Sequence, residues 1–231
     1  MSQGAYNPWS RWSGATGSRF SGRGPGGERG QHSGSGRLSR DDIDALFTAL
    51  GSRTFVALDF ETTGLSPDRD RVVEIGAIKF RMMENSDGWR IVTEKEFETL
   101  IHPGRSIPAE VSAIHGISDL DVSQAPYFKA AAESFLPFLE DTVLVAHNAP
   151  FDMGFLLAEA RRAGLPEPRN PAYDTKNLAK TAVPGLPSYS LQNLAKSFDI
   201  LQKDAHRGAD DARVCMELFG RCINVLAVKS A

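Results

Sequence analysis

The sequence predicts an α/β domain built on a mixed sheet, and three observations lead there. Segments rich in β-branched and aromatic residues come first, at 54–61, 72–80 and 91–101, and read as strands. Helical and strand patterns then alternate towards the C-terminus, the order expected of a sheet whose crossovers are helices. Finally, 231 residues at 41% hydrophobic content suffice for one sizeable core. No run approaches the ~18 consecutive apolar residues of a membrane span. The N-terminus also lacks the compact apolar stretch of a secretory leader. No membrane partner is expected.

Residues 1–40 contain ten Gly and eight Ser and show no apolar periodicity, so a disordered tail is predicted there. Six Arg against Glu28 give it +5; with −3 for the whole chain, residues 41–231 carry −8. Tyr6, Trp9, Trp12 and Phe20 lie among the arginines. That mixture suits a solvated leader or a segment that binds single-stranded nucleic acid or a partner protein.

The domain proper is expected over 41–231. Ile43, Leu46, Phe47 and Leu50 follow helical spacing, with Asp41 or Ser39 as N-cap. The strand from Thr54 ends by Gly64, and two further strands follow. A short helix is read over 106–115, a longer one over 127–139, and a short buried strand over 143–146. Asn148 and Pro150 mark the start of a helix running through Arg162. Ser190 is placed as the cap of a helix through Phe198, and a last helix runs from about Ala209 to Val228. Cys215 and Cys222 are seven residues apart on that helix, roughly 10 Å along its axis. A disulfide needs Cα atoms within about 7 Å, so they read as reduced core residues of a cytoplasmic protein.

Acidic residues in apolar settings carry the candidate chemistry. Asp59 and Glu61 stand two apart on the first strand, so both carboxylates leave from one face. Paired acids repel unless a proton or cation lies between them, and hard divalent cations favour such oxygen ligands. A strand end fraying into water is the alternative. Asp152 lies in the first turn of the helix after His147, where α/β sheets place ligands and where the helix dipole also favours an acid. Asp211, Cys215, Leu218, Cys222 and Val225 share one stripe of the last helix, which turns Asp211 towards the core and Asp210 towards water. A core-facing aspartate needs a partner, and a metal shared with Asp59 and Glu61 would supply one. His206 cannot share that face; on the loop leading in, it could act as a general base near neutral pH. His147 reads as a hydrogen-bonding support and His102 as structural or exposed.

In this order, these residues resemble the DEDDh 3′→5′ exonucleases, the family of the epsilon proofreading subunits of bacterial DNA polymerase III. The likeness covers residues 54–220. Val56-Ala-Leu-Asp-Phe-Glu-Thr-Thr-Gly-Leu65 resembles the first motif, and Val73-Glu-Ile-Gly-Ala77 the second-strand signature. Ile114-His-Gly-Ile117 is similar to a nucleotide-contacting loop, and His147-Asn-Ala-Pro-Phe-Asp152 to the second motif. His206-Arg-Gly-Ala-Asp-Asp-Ala212 resembles the third, in the H-x₄-D form. Asp174-Thr175 and Ser190-Leu191 also match similar residues in relatives.

The resemblance implies an RNase H-like fold, a mixed five-stranded sheet with its second strand antiparallel to the rest and helices on both sides. It implies that Asp59, Glu61, Asp152 and Asp211 are the metal-site acids and His206 the general base. Thr62, Leu65, His115 and Phe151 match positions that hold the terminal nucleotide. Two Mg²⁺ or Mn²⁺ ions would serve hydrolysis that releases nucleoside 5′-monophosphates from single-stranded DNA 3′ ends. The same chemistry on RNA ends, or a catalytically weak accessory subunit that keeps the fold, are the alternatives. A domain at −8 is not built for long duplexes. Weak, distributive engagement of single-stranded ends is therefore expected, aided by the tail or by contact with a polymerase subunit.

Overall fold

The computed structural model describes residues 36–230, so most of the expected tail falls outside the described residues. Packing begins at Leu38, whose N–H donates to Thr181 Oγ1 at 2.9 Å and whose side chain joins the core. Ser39, one of the two expected N-caps, caps helix α1 (Arg40–Leu50), exchanging hydrogen bonds with Asp42 in a capping box.

Strands β1 (Thr54–Thr62), β2 (Val72–Asn85), β3 (Gly88–Leu100), β4 (Thr142–Ala146) and β5 (Ala172–Asp174) form one sheet in the order β3-β2-β1-β4-β5. β2 runs antiparallel to β1 and β3, while β1, β4 and β5 are mutually parallel. The mixed five-stranded sheet expected from the sequence is therefore present. Helices α2 (Ala109–His115) and α3 (Asp119–Val122) lead from β3 to α4 (Phe128–Leu139). Beyond β4 come α5 (Ala149–Ala163), α6 (Thr175–Ala182), α7 (Leu191–Ser197) and α8 (Gly208–Ser230).

Side-chain alternation on β1 divides the core. Phe55 and Ala57 face a cluster built with α1, α6, α7 and α8, while Val56, Leu58 and Phe60 face α4 and α5. By the same alternation Asp59 and Glu61 leave β1 on the α8 side. Both cysteines are free and buried, as the helical spacing required.

Several elements differ from expectation. The β2–β3 hairpin extends well past Phe80 and begins β3 before Ile91, around a turn at Ser86-Asp87. Gly88 there has φ +118, a conformation suited to glycine, and Asn224 of α8 clamps the next residue through Trp89 N–H and C=O, both at 2.8 Å. The helix read over 106–115 starts only at Ala109, because Pro108 fits its N-cap. α3, β5 and α6 were not anticipated.

One close approach fixes the last helix. Gly76 pairs with Asp59 across β1–β2, and a Cβ placed on it would stand 2.0 Å from the Gly208 carbonyl carbon. Only a missing side chain lets the first turn of α8 lie against β2. Gly76→Ala is expected to cost about 3 kcal/mol as overpacking against backbone. That corresponds to a Tm lower by roughly 6–12 °C in a thermal melt. A wild-type Tm would contradict the contact.

Candidate active site

The candidate residues converge at the C-terminal end of β1. Glu61, His206 and Asp211 each offer a ligand atom within 4.8 Å of the others'. Glu61 is half-buried, Asp211 buried and His206 exposed on the turn before α8, where sequence spacing had placed it. Asp152 is 2% exposed in the first turn of α5, and its Oδ1 accepts from Phe60 N–H at 3.2 Å. That bond ties the start of α5 to β1 between Asp59 and Glu61. Asp59 is half-buried and interacts with Asp152, Asp211, Glu61 and Glu74 through their charges. Asp59 and Asp152 thus stand outside the tight triplet but within its field.

Local structure explains the convergence. The β1–β2 register slips between Glu61 and Thr62, a bulge of the kind that re-aims side chains beside functional sites. Asn148 N-caps α5 at φ +68, and its N–H donates to Asp174 Oδ1 at 3.0 Å. His147 is held at both ring nitrogens, by Thr175 Oγ1 at 2.9 Å and the Tyr189 carbonyl at 3.0 Å. It therefore supports the second motif, in keeping with its expected role. His102 accepts from Gly104 N–H at 3.0 Å and packs on Tyr127, a loop-building position.

The turn carrying His206 is bonded on several sides. Asp211 accepts from His206 N–H at 3.2 Å and from Gln202 Nε2. Asp210 is a correction: instead of facing water it accepts from Lys203 and Asp204 N–H at 2.7 and 2.9 Å and pairs with Arg213. Turn amides needed an acceptor, which helical periodicity cannot reveal. Glu74, 1% exposed, accepts from Arg207 and from Gly208 N–H. Gln202, Glu74 and Arg207 were not singled out by the sequence reading. A buried charge in the apolar run Val72–Ala77 was the available signal for Glu74.

Electrostatics mark the cluster as frustrated. Burial, then the charges of Asp152, Asp211, Glu61 and Glu74, push the Asp59 carboxyl well above its ordinary range. Burial also raises Glu61, with help from Asp211 and Glu74, to about 8. Asp152 and Asp211 are raised too, burial again leading, although hydrogen bonds from Phe60 N–H, Gln202 and His206 N–H oppose it. Such carboxyls retain protons in the fold that the unfolded chain releases. For Glu61 the stability so contributed is present below about pH 4.5 and is lost as pH rises towards about 8. In chelator, Glu61→Gln is expected to gain stability relative to wild type as pH climbs through that window. Thermal melts from about pH 5 to about pH 8 read the difference; parallel curves would contradict it.

The four nucleotide-contact candidates fall on the surrounding loops. Thr62 is buried and donates to the Gly64 carbonyl at 2.6 Å, while Leu65 projects into solvent, 86% exposed. Phe151, half-buried, packs on Phe155 with ring centroids 4.9 Å apart. His115 is 3% exposed; its Nδ1 accepts from Ile117 N–H at 3.0 Å, which leaves the proton of the neutral ring on Nε2. That Nε2 is buried and makes no hydrogen bond of good geometry, with the Thr62 backbone beside the ring. Burial lowers the ring's pKa, and His206 and Arg207 add to this, while the nearby Thr62 backbone and Glu74 oppose it. Phe151 directly precedes Asp152, and Leu65 lies three residues beyond Thr62, so both flank the cluster.

Comparison with known proteins gives the family of the chain. The model of the family described as Exonuclease matches residues 56–219. The chain is 41% identical over 194 residues to the DNA polymerase III subunit epsilon of Treponema pallidum, covering 78% of this chain and 86% of that protein. It is 34% identical over 171 residues to the 3′-5′ exonuclease DinG of Bacillus subtilis, covering 74% of this chain but only 18% of that protein. Among solved structures, E. coli Exonuclease I in complex with a dT13 oligonucleotide superposes with a TM-score of 0.64 at 18% identity, over 78% of this chain and 43% of that one. Exonuclease X in complex with 5′ overhanging duplex DNA gives 0.55 at 25% identity, over 77% and 93%. Among the described residues no helix is long and apolar enough to cross a membrane. The fold is RNase H-like, and the chain belongs to the exonuclease family as a 3′→5′ exonuclease.

Proposed function

We propose that this exonuclease acts on single-stranded DNA 3′ ends with two divalent cations, Mg²⁺ or Mn²⁺, and releases nucleoside 5′-monophosphates. The observation that carries the reading is the convergence of carboxylates at the end of β1, where Glu61, His206 and Asp211 each offer a ligand atom within 4.8 Å of the others'. Beside them the charges of Asp152, Asp211 and Glu61 add to burial in raising the Asp59 carboxyl, and hard cations with oxygen ligands offset such crowding. Asp59, Glu61, Asp152 and Asp211 would hold the ions. When bound, such ions polarise the phosphate, lower the pKa of water and stabilise the leaving oxygen.

The remaining roles belong to the chain. His206 takes the proton from the attacking water on a ring nitrogen, as an exposed imidazole beside Glu61 and Asp211 can. Water adds to phosphorus, the bond to the 3′ oxygen of the preceding nucleotide breaks, and that oxygen takes a proton from solvent to leave as a hydroxyl. A free 5′-monophosphate and a strand one nucleotide shorter result. His115 contacts the terminal nucleotide from beneath the turn that Thr62 shapes, an assignment its place beside the Thr62 backbone supports. Thr62 shapes the turn beneath that nucleotide, Leu65 wedges against its base and Phe151 lines the far side.

DNA is favoured over RNA by the likeness to a DNA polymerase subunit. The same likeness supports contact with a polymerase subunit and a cytoplasmic setting; the Gly- and Ser-rich composition supports a tail appended to the domain, whose packing begins at Leu38. A gel time course with 5′-labelled DNA and RNA of one sequence, in Mg²⁺, Mn²⁺ or chelator, tests the reading. A metal-dependent DNA ladder shrinking from the 3′ end, with RNA slower, is expected. Faster RNA trimming would overturn the DNA assignment, and no trimming of either would favour an accessory role.

A further inference from the structure

Glu74 is an anomaly of the sheet. It stands directly opposite Glu61 across the β1–β2 ladder, on the face that α8 covers, and is 1% exposed. Two like charges facing each other across strands are unfavourable, and a buried carboxylate costs more than an apolar residue of its size. Stability alone would not place a glutamate there.

Its contacts show what it holds. Arg207 Nη2 donates to Oε1 at 2.7 Å, and Arg207 Nε reaches Oε1 and Oε2 at 3.2 and 3.3 Å. Gly208 N–H, at the start of α8, donates to Oε2 at 2.7 Å. Both donors follow His206 directly, and His206 itself has φ +63, a left-handed conformation costly for a residue with a Cβ. On the other side, Asp210 and Asp211 hold the turn from α8. Within this set Glu74 is the group that ties the turn to the sheet carrying Asp59 and Glu61.

We infer that Glu74, acting through Arg207, is the positioning residue that fixes the turn presenting the His206 imidazole to the site. The inference rests on the reading of His206 as the base. Both oxygens of Glu74 are engaged by the turn, so it serves orientation and leaves ion binding to the other acids.

A double-mutant cycle in the full chain tests this, with kcat and KM on a single-stranded oligonucleotide, the Mn²⁺ midpoint and Tm as readouts. Glu74→Gln is expected to lower kcat by roughly 10–100-fold, the range for outer partners of a site. KM and the Mn²⁺ midpoint should stay within about two-fold, since the defect is one of orientation. In a His206→Ala background the same change should cost less than about two-fold, because the group it positions is gone. Arg207→Gln, at a half-exposed side chain, carries the same expectation if Glu74→Gln fails to fold. A slow His206→Ala chain that loses kcat again, in full, on adding Glu74→Gln would overturn this inference alone. A near-wild-type kcat in both Glu74→Gln and Arg207→Gln would do so as well. A His206→Ala chain at wild-type rate would remove the base assignment and this inference with it.

Discussion

Asp59→Asn is expected to slow release of mononucleotides by about 10³-fold or more, equivalent to about 4 kcal/mol of transition-state stabilisation. In chelator the same chain should melt at or above the wild-type temperature. The two expectations have one cause. Asp59 sits among Asp152, Asp211, Glu61 and Glu74, and burial together with their charges pushes its carboxyl well above its ordinary range. A neutral amide of the same shape relieves that repulsion and removes a cation ligand at once. A purely structural aspartate would behave oppositely, losing stability along with activity. Oligonucleotide time courses and thermal melts on the same preparations separate these cases. Turnover at the wild-type rate would remove Asp59 from the site.

His206→Ala should lower kcat by roughly 10²–10⁴-fold, the contribution of a general acid or base, with Tm and cation affinity close to wild type. The side chain is exposed, so its truncation leaves no cavity, and its backbone N–H still donates to Asp211. Its ring nitrogen does lie within 4.8 Å of the Glu61 and Asp211 oxygens. If the imidazole served as a ligand, the variant would need more Mn²⁺ for half-maximal rate. An unchanged Mn²⁺ midpoint with a depressed kcat identifies it as the base.

Much of the fold was legible because period and burial agree on its main elements. β1 reads as a strand since Phe55 to Leu58 are buried on both faces, and α8 as a helix since its stripe from Asp211 through Cys222 is continuous. β5 is three residues long and α3 is four, too short for any periodicity to register. The outer end of the β2–β3 hairpin was read short, although β2 alternates as far as Met82; beyond it Met83, Glu84 and Asn85 are all exposed and carry no period. In the site, strand alternation put Asp59 and Glu61 on one face, and helical phase turned Asp211 inward. What could not be read was tertiary in origin. The Gly76–Gly208 contact joins residues 132 positions apart, and the Glu74–Arg207 pair is equally remote in sequence. Neither has a local signature beyond a glycine and a glutamate in an otherwise apolar strand.

The measurement that bears most directly on the acidic cluster is a calorimetric titration with Mn²⁺. It would use metal-free full-length protein at about pH 8, with a nucleoside 5′-monophosphate present to fill the product site. By that pH Glu61 has begun to ionise, so binding should release protons and the heats should depend on the buffer. Two ions per chain are expected for wild type, and fewer than two for Asp59→Asn. Stoichiometry that is the same in both proteins, or an absence of binding in wild type, would contradict the assignment of these carboxylates as cation ligands.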